Sequence, residues 1–106
     1  MARLAIINLT HEAKGLDGYG KLREKLLKSN DTASVAILDV NYREEIGHVA
    51  FGLKWFKYLC KERGLNDVEE FHKLSRQYFI GKLKPPFDKA ARDSVGLTEE
   101  YYIPLT

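Results

Sequence analysis

Glu45 and His48 stand three residues apart in the stretch "NYREEIGHVAFG" (41–52), and a further carboxylate, Glu12, follows a run of apolar residues near the start of the chain. Carboxylate oxygen and imidazole nitrogen are donors that suit divalent transition metals. On a helix, residues at i and i+3 project side by side, so a glutamate and a histidine at that spacing can reach one ion from a single rigid turn. Steps of three and four from Glu45 and His48 collect Leu38, Asn41, Gly52, Trp55 and Leu59 onto the same face, which is apolar at its ends and polar at its middle. Glu12 repeats the anomaly, sitting among Ala5, Leu9 and Leu16 on a stripe that otherwise points inward.

The remaining reactive side chains carry less. His11 is adjacent to Glu12 but about 100° away around a helix, and it is expected at a surface or partner contact. His72 repeats the i, i+3 spacing with Glu69 in "EEFHKLS" and is expected to be solvated. Cys60 has no organised base beside it in the pattern and reads as a small buried apolar residue. Trp55, Phe56 and Tyr58, with the pairs Tyr78–Phe79 and Tyr101–Tyr102, are expected to pack in the core or at an interface. No phosphate-binding glycine loop and no serine-centred nucleophile motif is present.

Helices must position these groups. Ala2 to Leu16 has few breakers and predicts a first helix, with Gly15, Gly18 and Gly20 as a glycine-rich exit that interrupts it. Lys21 to Lys28 then forms a short charged amphipathic turn or two. Asn30-Asp31-Thr32 offers an N-cap, and from Ala33 to about Arg63 there is no proline, which predicts a main helix of roughly 45 Å stopped by Gly64. A third helix is expected from an Asn66 or Asp67 cap to about Ile80, its first turn carrying Glu69 and Glu70. After Pro85-Pro86, Asp88 caps a short helix, and "LTEEYYIPLT" predicts a short turn and an extended tail. Strand signals are almost absent. The expected class is all-α, a single domain over 1–106.

Composition narrows the function. With 106 residues, 44% of them apolar and 11% aromatic, the chain can bury a core. Its 17 basic and 15 acidic residues are interspersed for a net charge of +2, which is not the footprint of a nucleic-acid binder. The single cysteine, the lack of a signal-peptide layout and the lack of an apolar run of roughly 20 residues lead to the expectation of a cytoplasmic protein that does not enter a membrane.

Four segments carry a more specific resemblance: "EAKGLD" (12–17), "REEIGHVAFGLKWF" (43–56), "LC" followed by "RGL" (59–65), and "LKPPFDKAAR" (83–92). They are similar to the C-terminal half of an uncharacterised ferritin-like family (DUF455), whose members have Glu-Ala-Arg-Gly-Leu-Asp on a third bundle helix, Asp-Glu-x-x-His-Val on a fourth, and Pro-Pro-Phe-Asn near the end. Ferritin-like di-iron bundles take one Glu from each of two helices and a Glu-x-x-His from each of two others. By that resemblance Glu12, Glu45 and His48 match metal-ligand positions. Glu44 replaces an aspartate that usually holds the imidazole of a ligating histidine, and Lys14 stands where the family tends to have arginine. The resemblance implies a di-iron or di-manganese carboxylate protein, an oxidoreductase in a superfamily that includes hydroxylases, iron-storage and peroxide-scavenging proteins. A metal-free helical interaction or structural module derived from such a protein is the alternative. The half of the bundle that would precede Met1 is expected to come from a longer gene product, from a separate chain, or from a second copy in a homodimer.

Overall fold

The computed structural model describes residues 1–79 and 81–106, and among them every regular element is helical, which makes the fold all-α. The chain begins with a π-helical segment, Leu4–Glu12, that runs without a break into α1, Ala13–Lys28. After a short turn come α2, Thr32–Glu62, and α3, Asp67–Tyr78; α4, Lys89–Ser94, α5, Glu99–Tyr102, and a 3₁₀ turn, Ile103–Leu105, complete it. Among the described residues no helix is long and apolar enough to cross a membrane.

The cap residues act as their chemistry dictates. Asp31 accepts the Ser34 N–H at 3.1 Å, Asn66 that of Glu69 at 3.0 Å and Asp88 that of Ala91 at 3.1 Å, so α2, α3 and α4 each start on a side-chain acceptor. Gly64, with φ of 67°, ends α2 in the left-handed conformation, and the Leu65 N–H closes back on the Cys60 carbonyl at 2.8 Å. The predicted end of α3 at Ile80 lies outside the described residues.

Two expectations are corrected. Gly15, Gly18 and Gly20 do not interrupt the first helix, which continues through all three to Lys28. Each glycine costs about 1 kcal/mol in a helix interior, but the docking of this helix along α2 offsets that cost. Tyr19, between Gly18 and Gly20, and Arg23, beyond them, both hold Asp39 of α2, at 2.6 and 3.0 Å. The C-terminal tail is not extended: α5 and the 3₁₀ turn fold it back, and Leu83 donates its N–H to the Leu105 carbonyl.

The π segment and α1 form an antiparallel hairpin with α2, in which Asn8 lies against Gly52, Glu12 against His48, and Tyr19 against Asp39. Residues four and five apart share a face of the wider π turn. Ala5, Leu9, Thr10 and Ala13 are accordingly buried together, and the Thr10 hydroxyl donates to the Ala5 carbonyl at 2.9 Å. With Leu16 they meet Val49, Leu53 and Phe56 of α2 and Phe71 of α3, and Leu97, Tyr101 and Tyr102 seal the end of the core.

Gly52 marks the tightest approach. A Cβ there would lie 2.4 Å from the Asn8 Cβ, an atom fixed to the backbone, so the helices must part to admit it. Gly52→Ala is expected to destabilise the fold by about 1–3 kcal/mol. Gly20→Ala, where a Cβ meets open space, is expected to stabilise it by up to about 1 kcal/mol. Urea unfolding of the two variants checks the opposite signs.

Candidate metal centre

The hairpin brings Glu12, the last residue of the π segment, opposite Glu45 and His48 in the middle of α2, and one donor atom from each of the three lies within 4.8 Å of the others. The His48 Nδ1 is 3.1 Å from the Glu45 Oε1 and 4.0 Å from the Glu12 Oε2. All three residues singled out from the sequence therefore share one place. The burial is graded: the Glu12 side chain is 26% exposed and that of His48 57%, so the group opens outward on the histidine side.

Glu12 carries the electrostatic strain. Its Oε2 is shielded from solvent and has no hydrogen-bond partner. Desolvation raises the pKa of its carboxyl above the usual value, the nearby Glu45 carboxylate raises it further, and His48 opposes both. A buried polar atom without a partner is costly, and a cation between the three side chains would remove that cost. Beside them the hairpin leaves a shallow cleft of about 300 Å³ walled by Gly15, Leu16, Tyr19, Leu38 and Tyr42, with Glu12 and Glu45 at its edge. The two tyrosine rings stack at 3.8 Å between centroids.

Glu44 is exposed, one residue and about 100° from Glu45 around the helix; the group nearest the His48 Nδ1 is Glu45. His11 is exposed, edge-on to Phe79 at 5.8 Å and on the rim of the cleft. The expectation of a solvated His72 is corrected. Its Nε2 lies 2.9 Å from the Glu100 and Tyr101 carbonyl oxygens, so that nitrogen carries the proton and pins α5 to α3. Cys60 is buried, and burial pushes its thiol pKa up. Cys60→Ala is expected to cost stability of order 1 kcal/mol and to leave metal content unchanged, as elemental analysis would check.

The face of α2 that includes Glu45 is only partly inward. Val49, Leu53, Phe56 and Cys60 are buried, whereas Asn41 and His48 are exposed and Trp55 is 44% exposed, so the polar group sits at the border of the packed surface.

Sequence reasoning missed the polar lock behind the centre. Asp17, one helical turn beyond Ala13, takes two hydrogen bonds from Arg92, Nε at 2.9 Å and Nη2 at 2.6 Å, and a third from the Asp88 backbone N–H at 2.7 Å. Arg92 is 2% exposed and lies over the Phe87 and Tyr102 rings. The Tyr42 hydroxyl donates to the Asp88 carboxylate, and burial together with that hydrogen bond holds its pKa well above the usual tyrosine range. The signal was available: "EAKGLD" ends on Asp17, and "PPFDKAAR" contains both Asp88 and Arg92.

A family model described as "Protein of unknown function (DUF455)" matches residues 1–103. An uncharacterized protein of Haemophilus influenzae (strain ATCC 51907 / DSM 11121 / KW20 / Rd) is 39% identical over 97 residues, which is 92% of this chain and 34% of that relative. The chain thus spans about a third of the relative's length. No solved structure matches.

Proposed function

The chain belongs to the DUF455 family of proteins of unknown function, and on that premise we propose that Glu12, Glu45 and His48 are metal ligands, half of a ferritin-like di-metal carboxylate centre. The observation that carries this reading is the unpartnered Glu12 Oε2 held within one ion's reach of a second carboxylate and an imidazole. Oxygen and nitrogen donors in this ratio suit iron or manganese. Glu45, whose carboxylate lies close to both other donors, would be one of the residues that hold the metal. His48 would bind through Nδ1, the ring nitrogen that faces the glutamates.

Bound there, a pair of such ions supplies redox chemistry with dioxygen or peroxide, and oxidation or hydroxylation is the reaction class the reading implies. The chain's own residues set the surroundings. The rigid i, i+3 turn of α2 fixes Glu45 and His48 relative to each other, and the crossing at Gly52 fixes the distance to Glu12. The walls of Leu16, Leu38 and the stacked tyrosines keep water from one side and give an apolar substrate group a place beside the carboxylates.

A second reading, a metal-free helical interaction or structural module, draws on the 3.1 Å contact between His48 and Glu45, which satisfies two of the three groups without an ion. It leaves Glu12 with its unpartnered oxygen.

Thermal unfolding with and without Fe(II) or Mn(II), oxygen excluded, separates the readings. Metal at about 100 times its dissociation constant adds about 2.7 kcal/mol to the folded state. The wild type is therefore expected to melt several degrees higher with metal, and Glu45→Ala and His48→Ala to melt at the same temperature with or without it. Equal behaviour of all three proteins would favour the module.

A further inference from the structure

Two buried side-chain atoms among the described residues have no hydrogen-bond partner, and only one of them, the Glu12 Oε2, belongs to the metal group. The other is the hydroxyl oxygen of Ser75 on α3, a residue that is 4% exposed. A serine inside a helix commonly returns its hydroxyl bond to a backbone carbonyl three or four residues back. Ser75 does not, and a buried hydroxyl left without a partner costs stability.

Ser75 lies in the wall of a cavity of about 470 Å³, within the size range of small-molecule sites. Three stretches far apart in the chain enclose it: the π segment at Thr10, the end of α3 with residues 81–83 after it, and the C-terminal 3₁₀ turn. The Leu83 N–H donates to the Leu105 carbonyl at 3.0 Å and ties two of these together. The lining divides by chemistry. Leu83 is buried and Phe79 and Leu105 are half-buried, which makes one wall apolar. Arg76 and Lys82 are exposed at the mouth, and neither pairs with a carboxylate among the described residues. No described residue of the lining has an acidic side chain. The carbonyl end of α3 adds a partial negative charge, which is smaller than the two full positive charges of Arg76 and Lys82.

We propose that this cavity binds a small organic acid, a molecule with one carboxylate and a short apolar body. The carboxylate accepts from the Ser75 hydroxyl and is balanced by Arg76 and Lys82, while the body lies on Phe79, Leu83 and Leu105. A hydrogen bond to an ionised group is stronger than one between neutral groups, so this contact offsets the cost of burying the hydroxyl. None of these residues belongs to the metal group, and the site stands whether or not Glu12, Glu45 and His48 hold an ion.

The test is an NMR titration of the isotope-labelled full chain, free of metal, with benzoate, benzyl alcohol and inorganic phosphate. Benzoate is expected to shift the amides of Ser75, Lys82 and Leu83 and to saturate. Benzyl alcohol, similar in size but uncharged, and phosphate, which has no apolar body, are expected to bind at least about tenfold more weakly. Arg76→Gln and Lys82→Gln should each weaken benzoate severalfold without changing the urea midpoint. Ser75→Ala should weaken it too, yet unfold at an equal or higher urea concentration than the wild type, because the unpartnered hydroxyl is gone. A merely structural serine gives the reverse, earlier unfolding with unaltered benzoate binding, and that result would overturn the proposal. Equal binding of benzoate and benzyl alcohol would also overturn it, as would benzoate shifts that do not saturate or that miss these residues.

Discussion

Arg92→Ala is expected to lower the free energy of unfolding by about 3–5 kcal/mol, because it leaves the Asp17 carboxylate as an uncompensated charge in a nearly closed site. The Asp17 side chain is only 9% exposed, and its two strongest partners are on Arg92. The Asp88 N–H that remains supplies one hydrogen bond. The loss is large for a domain whose whole stability is of the order of 5–15 kcal/mol. Asp17→Ala should cost a comparable amount for the mirror reason, since it strands a guanidinium between two aromatic rings. The double replacement should cost clearly less than the sum. Equilibrium urea unfolding measures all three, and a loss under 1 kcal/mol for Arg92→Ala would mean that solvent reaches the pair.

Glu12→Gln is expected to act in two opposite directions. In metal-free protein the amide removes a desolvated carboxylate that stands beside another carboxylate and whose Oε2 has no partner, so stability should hold or rise. The same change should weaken Fe(II) or Mn(II) binding by at least 10–100-fold, the scale already seen when only an outer partner of a ligand is lost. Urea unfolding without metal and a metal titration read the two effects separately. Reduced stability of the metal-free variant would identify Glu12 as a structural group and remove the main argument for an ion.

The helical skeleton could be read from the residues because local chemistry specifies it: Asp31, Asn66 and Asp88 cap helices, and Gly64 ends one. Glu12, Glu45 and His48 stood out because each is a polar residue on or beside an apolar stripe, and the hairpin puts them together. What escaped depends on packing between distant segments. The glycines of α1 read as a break because propensity is local, whereas the docking that overrides them runs along α2. The π winding of Leu4–Glu12 moves Ala13 onto the buried face and Glu12 to its edge, which a 3.6-residue period does not anticipate. His72 looked solvated because its acceptors, two carbonyls of α5, lie almost thirty residues further on. Asp17 and Arg92 are 75 positions apart; the segments that hold them stand out in the sequence, but their pairing depends on how distant helices pack.

The most direct measurement is elemental analysis of the purified chain after reconstitution with Fe(II) or Mn(II) under exclusion of oxygen, beside Glu12→Ala, Glu45→Ala and His48→Ala. About one metal ion per chain in the wild type, with each variant reduced to near zero, is the expected result when two copies complete a centre of two ions. Equal, near-zero metal in all four proteins would contradict a metal centre at Glu12, Glu45 and His48.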